Sequence, residues 1–188
     1  AHAVRLTPSD DEDARHRREV TAVRMHLLAG DAARARVEGE GLLRRPLSPR
    51  QRADVLLVLS DIADTGSQAR ANALRKEALA GAVSDAAMQA SIHTWLAGRV
   101  RTTEGLTAAE AHARTALELA ERLDDDGLRA GALSALSVLR FNAGAPEAIE
   151  LAQRAVEAAA ASGRREKCDA RRARRFVRNK LTWNRLFR

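Results

Sequence analysis

The amino-acid sequence predicts an all-α fold, a solenoid of about four helical hairpins. Three observations lead there. Small and apolar residues recur at helical spacing along most of the chain. Glycines keep step with them, since Gly30, Gly66, Gly105 and Gly144 lie 36, 39 and 39 residues apart. Aromatic residues make up only 3% and tyrosine is absent, so the core has to be built from Ala, Leu and Val. A period in the high thirties, with one turn glycine and two helices per unit, is how an array of helical hairpins shows in a sequence.

The elements follow in order. Ser9-Asp10-Asp11-Glu12 reads as a capping box, with Asp13 adding negative charge to the first turn. The helix it opens runs to about Leu28, with Val20, Val23, Leu27 and Leu28 on its buried side. His16 and His26 are read as surface or half-buried helix residues. Gly30-Asp31 turns the chain into a helix that ends near Arg45, before Pro46. Gly39 and Gly41 inside it each weaken it by about 1 kcal/mol relative to Ala, which points to close packing against a neighbour. Ser48-Pro49 starts the next helix, with proline at its first position. The apolar run over residues 55–63 belongs to that helix and not to a strand, because its flanks, residues 50–54 and Asp64-Thr65-Gly66, fit a helix and a turn.

A helix over Ser67–Ala80 follows. Ser84-Asp85 caps the next, whose Met88, Ile92, Trp95 and Leu96 form a core stripe. After Gly105, Thr107 and Glu110 read as a capping box for a helix with Ala109, Ala113 and Ala116 on one face. Leu117 and Leu119 add bulk there, while Glu118, Glu121 and Arg122 face water. Asp124, Asp125 and Asp126 suit the start of a helix buried through Leu128, Ala132, Ala135, Leu136 and Leu139. Pro146 opens the last repeat helix, which ends near Ser162-Gly163. The glycines are followed, eleven or twelve residues on, by Gly41-Leu42, Ala78-Leu79, Ala116-Leu117 and Ala155-Val156, spaced 37, 38 and 39 residues.

The runs Ala109-x3-Ala113-x2-Ala116 and Ala148-x3-Ala152-x2-Ala155 resemble the second helix of a tetratricopeptide repeat. Trp95 and Gly98 resemble its first-helix signature, with the tryptophan one place too close, and the repeats exceed the usual ~34 residues. This resemblance implies a right-handed solenoid of about four tetratricopeptide-like hairpins over residues 1–163. Leu6-Thr7-Pro8 before an Arg-rich helix, then Ala29-Gly30-Asp31-Ala32-Ala33-Arg34-Ala35-Arg36, and Ala109-Glu110-Ala111-His112-Ala113-Arg114, resemble the middle region of the large ATP-dependent LuxR-type transcriptional regulators of actinobacteria. That resemblance implies a non-enzymatic, cytoplasmic sensing and protein-contact region, with a protein partner or small inducer in its groove. An ATPase module and a DNA-binding module would adjoin it in the full-length chain.

Residues 164–188 change character. Eleven Arg or Lys stand there against Glu166 and Asp169, a net +9 that exceeds the +7 of the whole chain and leaves −2 on residues 1–163. Ala173, Phe176, Val177 and Leu181, with Trp183 or Phe187, form one stripe of a basic amphipathic helix. Three readings stay open: a helix that closes the array, a frayed end, or an arm for nucleic acid or a membrane surface. In the nucleic-acid reading the contacts are Arg171, Arg172, Arg174, Arg175, Arg178 and Lys180.

Chemistry-bearing motifs are missing. No phosphate-binding G-x-x-x-x-G-K-[ST] loop, G-x-S-x-G elbow, H-E-x-x-H pair or paired-cysteine spacing occurs, so neither catalytic residues, a cofactor nor a metal is expected. The single cysteine, Cys168, excludes an internal disulfide and points to a reducing compartment. It lies among arginines without a partner to make it a nucleophile. Asp124–Asp126 lacks the glycine and distal glutamate of a calcium loop. No apolar run approaches the ~20 residues needed to span a bilayer, and no signal peptide opens the chain. A first residue other than Met suggests a fragment or a processed form, whose exposed terminal faces would suit a homodimer.

The candidate site is a partner groove along the first helix of each repeat. His26, Ile62, Arg101 and Arg140 stand four residues before the turn glycines. Stacking of adjacent repeats would set Arg101 beside Arg140, with His93 one turn earlier, as a ladder for an acidic peptide or carboxylate. The competing reading pairs these side chains with surface acids.

Overall fold

The computed structural model describes residues 11–163, and every regular element among them is a helix. The Ser9-Asp10 cap, Cys168 and the basic tail with Arg171 to Lys180 lie outside the described residues. Four hairpins follow one another. α1 (Glu12–Leu28) and α2 (Ala32–Leu43) form the first, α3 (Pro49–Asp64) and α4 (Gln68–Gly81) the second. The third comprises α5 (Ala86–Arg99), the single turn α6 (Arg101–Glu104) and α7 (Leu106–Arg122). α8 (Asp126–Asn142) and α9 (Ala148–Ala161) make the fourth. The fold class is thus all-α, of helical-repeat type. No described helix is long and apolar enough to cross a membrane.

Each predicted turn glycine separates the two helices of a hairpin. Gly30, Gly105 and Gly144 adopt φ of 86°, 92° and 74°, a left-handed backbone that other residues rarely tolerate. The helix starts are fixed by side chains: Asp11, Asp31, Ser67 and Asp85 each accept the backbone N–H three residues on. Ser48 forms a full capping box with Gln51 and has Pro49 behind it. Asp125 accepts from two amides, Gly127 at 2.8 Å and Leu128 at 3.0 Å.

Several expectations are corrected. Asp11 caps α1, two residues after the Ser9 expected there. The Thr107–Glu110 box does not form, because α7 starts at Leu106 directly after Gly105 and Thr107 already lies in its first turn. The last helix begins at Ala148, two residues beyond Pro146. Leu28 is 72% exposed, whereas His16 is buried with its Nε2 3.8 Å from the Asp54 carboxylate.

The chain divides after Ser84 into two compact units of two hairpins each. In each, the first helix of the later hairpin packs on both helices of the earlier one: α3 on α1 and α2, α8 on α5 and α7. The core of the first unit gathers Val20, Val23, Leu42, Val55, Val58, Leu59 and Ile62. In the second, Leu133 and Ala155 pack with Leu117, Leu151 and Val156, and Ile92, Leu96, Leu136 and Leu139 are also buried. Met88 and Trp95 from the predicted stripe are half-buried, with Arg99 stacked over the Trp95 ring at 5.2 Å.

A seam of small residues runs along the second helices. Its buried positions are Ala35, Gly39 and Leu42; Ala71, Arg75 and Ala78; Ala109, Ala113 and Ala116; Ala148, Ala152 and Ala155. The last seam position therefore runs Leu42, Ala78, Ala116, Ala155, so Leu42 and not Gly41 is the match of Ala78. It follows the turn glycine by twelve residues in both hairpins of the first unit and by eleven in both of the second. Asp31 and Ser67 each interpose a capping residue between glycine and helix, whereas Gly105 is itself the N-cap of α7. Close approach follows from smallness: a Cβ on Gly39 would meet Leu59 Cδ2 at 2.8 Å, and one on Gly81 would meet the Pro49 carbonyl oxygen at 2.6 Å. Gly41, expected to pack closely as well, would find open space.

Candidate functional site

The residues predicted for the groove, His93, Arg101 and Arg140, all belong to the second unit, and they stand on three different elements. α5 ends at Arg99 and Val100 is fully buried, so Arg101 opens the separate turn α6 and stands exposed. Arg140 on α8 reaches Glu110 of α7 at 3.5 Å and Glu147 at 3.4 Å. His93 on α5 instead faces α7: its Nδ1 lies 2.8 Å from His112 Nδ1, with ring centroids 5.0 Å apart. At this distance one imidazole donates its Nδ1–H to the other. Burial, and then the charge of His112, push the His93 pKa below the ordinary histidine value.

Glu110 and His112 are two residues apart on α7 and so point different ways, the first to α8 and the second to α5. The helix between them separates the histidine pair from the Arg140 cluster. In the first unit, Ile62 is core and His26 Nε2 sits 3.4 Å from Glu38. Of the four side chains four residues before a turn glycine, Arg101 is the one that makes no ion pair and is not core among the described residues.

The seam holds a charged exception. Arg75 occupies the slot filled by Gly39, Ala113 and Ala152 in the other hairpins, is 4% exposed, and hydrogen-bonds Asp61 of α3. Two helices of the first unit are thereby tied by a charge-assisted contact where the others meet through small side chains.

A cavity of about 460 Å³ opens in the first unit between α2, α3 and α4. Leu43, Leu59, Ile62 and Leu74 line its apolar part, and Arg36, Glu40 and Arg70 its polar part. Thr65 and Ser67 at the α3–α4 turn also border it: the Thr65 hydroxyl donates to the Ile62 carbonyl at 2.9 Å, while Ser67 Oγ accepts from the Arg70 amide at 3.3 Å and keeps its own O–H to donate. Sequence reasoning missed this cavity. Arg36 and Glu40 have the same (i, i+4) spacing as Arg34 and Glu38, which would have them paired on the surface. Only the second pair forms, at 2.9 Å.

Neither a family model nor a curated protein matches the chain. Among solved structures, it is similar to BtubC (BKLC) from P. vanneervenii, with 18% identity and a TM-score of 0.67 over 90% of this chain and 82% of that one. The likeness is one of fold. It supports the helical-repeat class and leaves the residues of both clusters to be read from their own geometry. Among the described residues, no three of His, Cys, Asp and Glu are placed to hold a metal ion.

Proposed function

We propose that the chain is the non-enzymatic interaction and sensor region of a LuxR-type transcriptional regulator, taking a protein partner or a small inducer on its helical hairpins. The reading is supported by where the resembling segments fall. Residues 29–36 make the turn and first part of α2, and residues 109–114 lie in α7, so both sit on the second helix of a hairpin. The two segments include Ala35, Ala109 and Ala113 of the buried seam, on which the packing of the helices depends, which suits a region whose task is to present a surface. In such a regulator the region would act on an ATPase and a DNA-binding module joined to it, without reading DNA itself.

The experiment is binding of a short mixed-sequence DNA duplex at low and at moderate salt, with the whole chain and with residues 1–163. The proposal expects no retained duplex with either. Binding that falls steeply with salt and vanishes in the shorter version would overturn it, because the arginines and lysine between Arg171 and Lys180 would then be a nucleic-acid contact that releases counterions.

A further inference from the structure

The composition of the cavity in the first unit selects its occupant. Its apolar lining is aliphatic, with no aromatic side chain to stack a planar ring or a base. Its volume falls within the range of about 300–1,000 Å³ typical of small-molecule sites. Arg36 and Arg70, both exposed at its rim, make no ion pair among the described residues. Elsewhere in the same unit Arg34, Arg45, Arg52 and Arg75 each hold a carboxylate. The Thr65 hydroxyl is taken up by the Ile62 carbonyl, so the polar donors left at the rim are the two guanidiniums, which suit an oxyanion in bidentate fashion, and the Ser67 O–H. Glu40 brings the rim to a net single positive charge, which matches one negative charge and disfavours a polyanion.

We propose that this cavity binds a small aliphatic monoanion, its hydrocarbon chain against Leu43, Leu59, Ile62 and Leu74 and its carboxylate or sulfonate head between Arg36 and Arg70. The assignment rests on the reading of the chain as a binding module and is independent of the regulator context. Desolvation of the aliphatic chain supplies affinity, and the arginine pair supplies the choice of sign and the orientation.

The test is titration calorimetry of the whole chain with octanoate, octanesulfonate, octanol and octylammonium. One-site binding of the anions is expected, at least tenfold tighter than octanol, with no binding of octylammonium. The preference between octanoate and octanesulfonate identifies the head group. Replacing both arginines, Arg36→Gln with Arg70→Gln, should weaken anion binding at least tenfold. Both residues are exposed, so this variant keeps its fold, and any binding by the basic tail is common to both chains. Ala63→Phe, which fills part of the cavity, should reduce the affinity of anions and octanol together. Octylammonium or octanol binding as tightly as octanoate would overturn the proposal, and so would a double variant with unchanged affinity. Absence of binding by all four would overturn it too, while the interaction reading would still stand or fall on the duplex experiment.

Discussion

Three glycines of the first unit meet different surroundings, and replacing each by alanine measures how tightly the hairpins are packed. In open helical surroundings the exchange gains about 0.5–1 kcal/mol, because the unfolded chain loses conformational freedom and the helix gains propensity. Gly41 is that case, since a Cβ there meets nothing within 4 Å. At Gly81 the Cβ would stand 2.6 Å from the Pro49 carbonyl oxygen and 3.4 Å from Ala53 Cβ. That oxygen is main chain at the start of α3, so relief requires moving one helix against another. Overpacking of this kind costs about 1–3 kcal/mol, and the upper half of the range applies when backbone must yield. Subtracting the helix gain leaves a net loss of about 1–2.5 kcal/mol for Gly81→Ala. Gly39 lies between, because the atom it would strike is the end of the Leu59 side chain at 2.8 Å, which can swing toward the cavity it borders. There the two terms should nearly cancel. Urea denaturation followed by far-ultraviolet circular dichroism gives the order, with Gly41→Ala above the parent, Gly39→Ala near it and Gly81→Ala below. A Gly81→Ala chain as stable as Gly41→Ala would show that α3 and α4 do not approach as described.

Further outcomes follow from the ion pairs, the caps and the histidines. Asp61→Asn removes the carboxylate from buried Arg75 and should cost about 1.5–3 kcal/mol in the same denaturation experiment, whereas Arg75→Met, which keeps the stem, should be near neutral. Asp125→Ala frees two first-turn amides and should cost about 1–2 kcal/mol. The lowered pKa of His93 means that, in acid, the unfolded chain takes up its proton before the folded one does. Its contribution to stability is therefore present above about pH 6.5 and is lost as pH falls from there toward the lowered folded value. Stability measured from pH 7 to pH 5 should fall less steeply in His93→Gln than in the parent. The difference stays under the single-proton limit of about 1.4 kcal/mol per pH unit, and solvent at the half-buried ring reduces it further. Equal slopes would refute the lowered pKa of His93.

Local chemistry made the hairpins legible in the sequence. Ser48, Ser67, Asp85 and Asp125 announce helix starts through bonds made within three residues, and Gly30, Gly105 and Gly144 mark turns that require a left-handed backbone. The Ala109-Ala113-Ala116 face is buried as its spacing demands. What escaped depended on phase or on distant partners. One capping residue decides whether Leu42 or Gly41 meets the neighbour, and a count from the turn glycine cannot resolve that. His16 reads as a surface residue until α3 brings Asp54 beside it. The break at Val100 takes Arg101 away from the place that the 39-residue spacing gave it. Arg75 reads as one more surface arginine on a polar helix, because its burial is set by α3. The cavity was hidden for the same reason: its lining comes from three helices and the turn between two of them, and its arginines look paired by spacing alone.

The small-residue seam has a consequence for how each unit comes apart. Alanine and glycine give up no side-chain freedom on packing, but they also bring little apolar surface to the contact. A helix such as α9, whose buried face is Ala148, Ala152, Ala155 and Ala158, draws much of its stability from the larger side chains of the helix it packs on, such as Leu133 of α8. Opening should therefore be graded along the chain. Amide protons of α9, with a packing partner in α8, should exchange with solvent through partial opening that leaves α5 and α7 closed. Those of α8, held by α5, α7 and α9, should exchange most slowly in the second unit. A seam of this kind lets one helix loosen while those behind it keep their shape.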